Sequence, residues 1–283
     1  ANTFTENSFS TTYKDDFIDS DNYHRILFNS GRALQARELT QMQTIIQEEI
    51  GRFGRNIFKD GASVNPGGPT ITNDYEFIKL NTATNALPTD TTTLVGTEFT
   101  GQTSGVKARV LQVVAAEGSD PATLYVQYTD TSAATAGANP IRMSAGEDIN
   151  NGTDTLTVQS AASAVGRGSK IASAAGDFLV RGHFVFVKPQ ELILAKYTRN
   201  PTKVVGFKIT EDIVTVADDT ALYDNQGATP NLSSPGADRY RITLTLTTQD
   251  QVAADENFVY YCDVVDGQIL DQVSEQKIIT KLM

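Results

Sequence analysis

Cysteine and histidine are scarce in this chain of 283 residues, and tryptophan is missing. The single Cys262 has no partner for an internal disulfide, and two histidines, His24 and His183, leave little for acid–base or metal chemistry. No apolar run approaches the ~18–20 residues of a membrane-spanning helix, and the first residues lack the basic and apolar regions of a signal peptide. These absences favour a soluble structural or binding protein over an enzyme, and we expect no cofactor and no bound metal.

Positive charge is also in short supply. The chain carries 23 Lys and Arg against 34 Asp and Glu, which gives a net charge of −11. Proteins that bind nucleic acid need a positive field to neutralise phosphates. The charge balance therefore argues against a nucleic-acid partner.

The residues that are abundant indicate short strands joined by polar turns. Thr, Ser, Asn and Gln are frequent, there are 21 glycines, and 240–247 alternates apolar and polar side chains as a half-buried strand does. The predicted fold class is α+β, mainly β. An N-terminal arm and a long amphipathic helix precede antiparallel β domains, sandwich or barrel-like, with a small inserted β module.

Glycine and proline clusters suggest where these parts begin and end. The predicted boundaries are 1–60 for the arm and helix, 61–87 with 164–268 for the main β domain, 88–163 for the inserted module, and 269–283 for the start of a C-terminal helix. The small-residue stretch 161–168 reads as the linker that leaves the module.

The first thirty residues are polar with scattered aromatics, and the aromatic spacing fits neither a strand nor a helix. These aromatics are Phe4, Phe9, Tyr13, Phe17 and Tyr23. We interpret the segment as an extended arm whose aromatic side chains dock onto another surface; the alternative is an unattached terminus.

Apolar residues at steps of three and four predict a helix from Leu34 to Phe58. The apolar stripe consists of Leu39, Met42, Ile46, Ile50, Phe53 and Ile57. Such a helix would be about 36 Å long, more than a small β domain needs for cover. It is therefore either a subunit interface or a core helix, and Gly51 and Gly54 would ease the approach of a neighbouring helix.

Candidate catalytic and metal-binding groups lack the arrangement that chemistry requires. The adjacent carboxylates are Asp15–Asp16, Glu211–Asp212 and Asp218–Asp219, and neighbouring residues on a strand point to opposite faces. Asp19-Ser20-Asp21 begins like a calcium loop but lacks its glycine and final glutamate. The stretch 218–239 has no periodicity, and a loop of this length is usually functional or packed on a partner.

Two segments resemble a known family. One is 27–43, which reads LFNSGRALQARELTQMQ, with its continuation to Gly61; the other runs from Gly206 to Tyr240 and contains PGADR before a Thr-rich strand. Together they resemble the N-terminal region of tail and baseplate structural proteins of tailed bacteriophages, of the type frequent in cyanophages. The resemblance covers most of the chain except 88–163.

This resemblance implies a virion component, made in the host cytoplasm and located in the tail baseplate or at a tail-fibre attachment point. The implied partners are other tail or baseplate proteins and further copies of the chain, with a trimer as the expected homo-oligomer. It also implies that these residues are an anchoring region of a longer protein. The candidate interface residues are the arm aromatics and the helix stripe.

A second interpretation is a module that binds a host-surface glycan through the inserted β module. Aromatic rings that could stack on sugars are few there: Phe99, Tyr125 and Tyr128. A polysaccharide-cleaving enzyme is a third interpretation, disfavoured because no acid–base pair is placed.

Overall fold

The computed structural model describes residues 9–65, 67–130, 142–223, 229, 236–253 and 257–272. In this part of the chain one α-helix precedes a series of antiparallel strands, and the protein is mainly β. The helix, α1, spans Ala36–Ile57. The strands are β1 (Pro69–Lys79), β2 (Glu98–Gly101), β3 (Lys107–Val114), β4 (Thr123–Asp130), β5 (Asp148–Asn150), β6 (Thr155–Thr157), β7 (Val165–Ser173), β8 (Gly176–Val180), β9 (His183–Val187), β10 (Gln190–Ala195), β11 (Lys203–Val214), β12 (Arg239–Thr248), β13 (Phe258–Val265) and β14 (Gln268–Gln272).

The described strands form three sheets. Eight of them lie in the order β10-β7-β1-β4-β3-β2-β5-β6, four in the order β12-β11-β13-β14, and β8 and β9 form a hairpin. Strand β11 pairs with β12 from Val205 opposite Thr248 to Val214 opposite Arg239. The strands of the eight-stranded sheet all lie between Pro69, the start of β1, and Ala195, the end of β10.

Buried apolar side chains form two large cores and a smaller cluster of Tyr75, Phe77 and Tyr125, because alternate side chains of each strand point inward. The first core includes Ile78, Leu94, Phe99 and Leu156, all at most 1% exposed. The second gathers β7, β10, the β8–β9 hairpin and the four-stranded sheet around Phe207. The arm and α1 lie beside this second core, which places them on the hairpin.

Strand positions follow the sequence pattern in part. Ile242, Leu244 and Leu246 of β12 face inward as predicted, with Arg241, Thr243 and Thr245 exposed between them, whereas Thr247 is buried against the alternation. The linker predicted at 161–168 is wrong over its second half, because 165–168 begin β7. Gly166 is needed there, since a Cβ atom on it would lie 2.9 Å from the Phe77 ring.

The predicted C-terminal helix, 269–283, is wrong over its first residues. Ile269 and Leu270 belong to β14, which pairs antiparallel with β13, and residues 273–283 lie outside the described part of the chain. The turn between β13 and β14 has positive φ at Asp266 (50°) and Gly267 (75°). That conformation is typical of a tight hairpin turn, which the Asp-Gly pair could have predicted.

The predicted inserted module, 88–163, supplies β2 to β6, and these strands continue the sheet of β1 instead of forming a sheet of their own. One buried carboxylate joins its loops. Glu147 accepts hydrogen bonds from the backbone N–H groups of Thr103 (3.0 Å), Ser104 (2.9 Å) and Ser144 (2.5 Å), and from the Ser104 hydroxyl (2.8 Å). Glu147 is 4% exposed, so water cannot readily replace these bonds.

Candidate protein–protein interface

Hydrogen bonds and backbone conformation at its two termini determine where α1 begins and ends. The backbone N–H of Gln35 donates to Glu38 Oε2 at 3.0 Å, and the Gln35 side chain accepts from the backbone of Glu38, which forms a reciprocal cap. At the other end Phe58 is extended (φ −106°, ψ 153°) and donates its N–H to the carbonyl of Gly54 at 2.8 Å. The helix has 22 residues and is about 33 Å long.

One face of α1 packs against the β8–β9 hairpin of the same chain. A Cβ atom on Gly51 would lie 3.1 Å from the Gly182 carbonyl oxygen, and one on Gly54 would lie 3.0 Å from Leu179 Cδ1 and 3.1 Å from Phe184 Cζ. The hypothesis that these glycines ease the approach of a neighbouring helix is therefore wrong in this structure. They allow α1 to lie close to its own hairpin.

The apolar stripe lies on a different side of α1. Exposed fractions are 41% for Leu39, 37% for Met42, 53% for Ile46, 49% for Ile50 and 66% for Phe53, while Ile57 is half-buried. At about 100° per residue, the stripe is roughly opposite Gly51 around the helix axis. The predicted alternative of a core helix therefore does not describe these side chains, which face outward from the chain.

The arm runs over α1 and β12 of its own chain. The Phe9 ring meets Tyr240 edge-on with centroids 5.4 Å apart, and the Tyr13 hydroxyl donates to Asp238 Oδ2 at 2.7 Å. Phe17 is half-buried, whereas Tyr23 is 59% exposed. The fifth predicted aromatic, Phe4, lies outside the described residues. Two of the arm aromatics thus dock on the chain itself.

Carboxylates fix the arm along the helix. Asp15 accepts from Thr44 Oγ1 at 2.5 Å, Asp16 pairs with Arg37 at 3.1 Å, and Asp19 pairs with Arg52. The partners of Asp15 and Asp16 lie in the first half of α1 and the partner of Asp19 lies in its second half, so the arm runs in the direction of the helix. This is the structural role of the first adjacent carboxylate pair, and of the segment that begins like a calcium loop.

After the arm the chain returns to the start of α1. His24 Nδ1 lies 3.3 Å from Glu49 Oε1, and Gln35 caps the helix, so residues 24–35 run back along it. Four large apolar side chains at the end of the arm and in this return segment are exposed. They are Tyr23 (59%), Leu27 (75%), Phe28 (52%) and Leu34 (57%).

Together, these four residues and the five exposed stripe residues form what we call the apolar face. It comprises Tyr23, Leu27, Phe28, Leu34, Leu39, Met42, Ile46, Ile50 and Phe53. With about 180 Å² for a large side chain and roughly half of each exposed, the face presents on the order of 800 Å². The largest apolar patch on a typical monomer is about 300–600 Å². Sequence reasoning found the helix half of this face, with Leu34 at its predicted start, and missed Leu27 and Phe28, because they follow no regular period.

A buried polar cluster lies beneath the arm and α1. Arg181 occupies the β8–β9 turn with φ of 51°, its backbone N–H donates to Asp60 at 2.9 Å, and its guanidinium pairs with Glu211. The Tyr240 hydroxyl donates to Glu211 Oε1 at 2.6 Å. The positive φ of a large side chain costs about 1 kcal/mol or more, which the buried ion pair offsets.

A cavity of about 190 Å³ adjoins this cluster and is lined by residues of the arm, α1, the β8–β9 hairpin and the four-stranded sheet, among them Asp15, Glu48, Arg181 and His183. It is smaller than the ~300–1,000 Å³ of usual ligand pockets. Burial lowers the pKa of His183, against the opposing effect of Glu48 and Glu211. Burial also raises the pKa of Tyr240. His183 is therefore a neutral packing residue at pH 7, in contact with the Tyr240 ring at 5.9 Å.

The remaining candidates for chemistry have structural partners. Cys262 is buried, and burial raises its pKa to about 12, so it holds its proton at neutral pH. Asp212 pairs with Arg241 at 2.5 Å and points away from Glu211. Asp218 accepts from Thr215 at 3.0 Å, while Asp219 accepts from the Ala221 N–H at 2.9 Å.

The loop predicted at 218–239 is described only at 218–223, 229 and 236–239. Its end is attached to the body, because Gly236 donates to the Leu222 carbonyl at 2.9 Å and Asp238 accepts from Tyr13. In the described part of the chain no three His, Cys, Asp or Glu side chains converge to hold a metal. Nor does any helix there have the length and apolarity needed to cross a bilayer.

The aromatics of the inserted module are core residues more than surface residues. Phe99 is 1% exposed and Tyr125 is fully buried, with its ring stacked 4.5 Å from that of Tyr75. Tyr128 is half-buried. Stacking on a sugar requires an open ring face, so Phe99 and Tyr125 are unavailable for it.

Comparison with known proteins identifies a family. A family described as "Domain of unknown function (DUF4815)" matches residues 11–105 and 154–281, and the chain belongs to this family. The matched residues include the arm, α1 and the four-stranded sheet, and they leave out 106–153, within the predicted insertion. No curated protein and no solved structure matches the chain.

Proposed function

We propose that this family member is a structural component of a phage virion, in the tail baseplate or at a tail-fibre attachment point. It anchors and assembles by protein–protein contacts and performs no catalysis. Its partners are other tail or baseplate proteins and further copies of the chain, with a trimer as the expected form. The resemblance of 27–43 and 206–240 to tail and baseplate proteins supports the setting.

The observation that carries this proposal is the apolar face. Nine large apolar side chains of α1 and the segment before it are exposed to water, which is unfavourable by about 25 cal/mol per Å² of apolar surface. A partner that covered them would recover this free energy. The proposal treats α1 as a long amphipathic helix whose outward face is an attachment surface, and the two larger sheets as a sandwich-like support through the second core.

The arrangement also suggests how the attachment surface is kept rigid. The glycine face of α1 lies on the β8–β9 hairpin, and the arm is held to α1 by Asp15, Asp16 and Asp19. A preorganised surface loses less conformational entropy on binding. The arm aromatics Phe9 and Tyr13 thus act by fixing the surface, while Leu39 to Phe53 supply the contact.

Point substitution in the apolar face tests the proposal better than deletion of 1–60, because deletion would also uncover the hairpin beneath Gly51 and Gly54. We expect purified tailed particles from a host that makes the chain to contain it, as measured by mass spectrometry and immunogold labelling of the tail. Particles made with Ile46→Asp and Phe53→Asp together should lack it. The matched control is Leu111→Asp, an exposed apolar residue of β3 (43%) outside the face.

Two outcomes would count against this function. One is absence of the wild-type chain from purified particles. The other is normal incorporation of the doubly substituted chain. A glycan array with the purified protein separates the second interpretation, since specific sugar binding that survives the two substitutions would favour a receptor-binding module.

A further inference from the structure

Charge along α1 is neutralised within the chain. Each charged side chain of the helix has a partner: Arg37 with Asp16, Glu38 with the Gln35 N–H, Glu48 with Arg55, Glu49 with His24, and Arg52 with Asp19. The three arginines and three glutamates of α1 balance, so the helix side of the apolar face carries no excess charge that would select a strongly charged partner. A copy of the same face would meet no strong like-charge repulsion there, although the whole chain carries a net charge of −11.

The spacing of the stripe specifies a straight helix contact. From Leu39 to Ile57 the apolar positions advance 18 residues in five steps, which is an average of 3.6 residues, the period of a straight α-helix. A left-handed coiled coil needs 3.5 residues, so over this length the stripe would keep to one line without supercoiling. A partner must then present a straight apolar ridge about 27 Å long. The same stripe on another copy meets this requirement.

The size of the apolar face fits an interface between copies. Its exposed area, on the order of 800 Å², matches the ~800 Å² that each partner contributes to a stable interface of standard size. In an interface between identical faces both sides contribute the same residues, so the apolar side chains of one copy are covered by those of the other. A polar or charged partner would leave them uncovered.

We propose that the apolar face is occupied by the same face of a second copy of this chain, with the α1 helices packed side by side and without left-handed supercoiling. The inference rests on the proposed function, in which the chain is part of an assembly, and it names the partner of that site. Because two identical faces that cover each other leave none for a third copy, the inference predicts a dimer through this face in place of the expected trimer. It assigns Ile46 and Ile50, at the middle of the stripe, to the centre of the contact.

Light scattering on the purified full chain, over a range of micromolar concentrations, tests the inference. We expect the wild-type chain to have the mass of at least two copies of 30.6 kDa, and the Ile46→Asp, Ile50→Asp variant to be a monomer with unchanged far-UV circular dichroism. Leu111→Asp should assemble as the wild type does. A wild-type monomer at every concentration, or a doubly substituted chain that still assembles, would overturn the inference.

Cysteine cross-linking gives a second readout that does not depend on disrupting the contact. The native Cys262 is buried, so a cysteine introduced at the surface is the reactive one. Under mild oxidation, Ile46→Cys or Ile50→Cys should form disulfide-linked dimers in high yield, and Leu111→Cys should not. Equal yields at all three positions would contradict a contact between like faces.

The two proposals can fail separately. A chain that is monomeric in solution but present in purified particles would remove the second copy as occupant and leave the virion function standing. A chain that assembles as expected but is absent from particles would contradict the virion function and leave the contact between copies standing.

Discussion

Glu147 shows how much one buried carboxylate can contribute. Its two oxygens accept four hydrogen bonds that join the loops at Thr103, Ser104 and Ser144. In Glu147→Gln one of the two acceptor oxygens is replaced by an NH₂ group, which donates hydrogen bonds. Some of the four donors therefore lose their acceptor. We expect the free energy of unfolding to fall by about 2–3 kcal/mol, as measured by urea denaturation.

The matched control is Glu117→Gln, because the Glu117 side chain is 84% exposed and reaches Lys196 only at 3.4 Å. Surface ion pairs of this kind contribute about 0–1 kcal/mol. Equal stability of the two variants would show that Glu147 does not hold the loops.

His183 makes a prediction about pH. Burial lowers its pKa in the folded chain below the ordinary 6.5, so the unfolded chain binds more protons between the folded value and 6.5. The free energy of unfolding should therefore fall as pH decreases below about 6.5. In His183→Gln the free energy of unfolding should change less with pH, so the slope of its plot against pH should be smaller. Urea denaturation at several pH values from about 7.5 to 5.5 measures it.

The second histidine of the chain supplies the control. The His24 side chain is 67% exposed and lies beside Glu49 on the surface, so His24→Gln removes a histidine without removing a buried imidazole and is compared with His183→Gln at the same pH values. If the slopes of the wild type and His183→Gln coincide, burial of His183 is not what makes the stability depend on pH in this range.

At the scale of elements, one face of α1 packs on its own chain and another is proposed to contact a partner. A substitution at Gly54, which lies on the first face, tests this assignment. In Gly54→Leu the added side chain would meet Leu179 and Phe184 at about contact distance or closer, so overpacking should lower the free energy of unfolding by about 1–3 kcal/mol. Gln43→Leu, at an exposed position of the same helix, should change it little. Thermal unfolding compares the two.

A different result would restore the sequence-based hypothesis for these glycines. If Gly54→Leu left the stability of the chain unchanged but abolished its assembly, the glycine face would be the contact between copies. The structure predicts instead that Gly54→Leu lowers the stability of the chain, and that Ile46→Asp with Ile50→Asp lowers its assembly.

Elements with a regular period could be predicted from the sequence, because periodicity reports which side is apolar. The steps from Leu39 to Ile57 gave the helix, and the alternation in β12 gave the strand. Strand β7 has no such signal, since Gly166 and Gly168 are there for close packing and resemble a linker. Whether the α1 stripe faces the core or the outside could not be predicted either, because a helix that packs on its own core and a helix that binds a partner have the same apolar sequence pattern.

Across the whole molecule, arm, helix and hairpin form a support for one apolar surface. The polar cluster of Arg181, Glu211 and Tyr240 fixes the hairpin, the hairpin receives Gly51 and Gly54, and the arm carboxylates hold the other flank of α1. Sequence reasoning placed α1 and some arm residues in one candidate site. It could not find the polar cluster, because Arg181 and Glu211 are thirty residues apart and join only through the tertiary fold.

Net charge gives the prediction that belongs to the whole chain. At −11, copies of the chain repel one another at long range, while the proposed contact is apolar and the charged side chains of α1 balance. Salt shortens the screening length from about 10 Å at 0.1 M to about 3 Å at 1 M, so it should weaken the repulsion more than the contact. We therefore expect the dissociation constant of the assembly to decrease several-fold when sodium chloride rises from about 0.05 to 0.5 M. Sedimentation or light scattering over a dilution series measures this constant, and an increase with salt would mean that the copies associate through complementary charges instead of the apolar face.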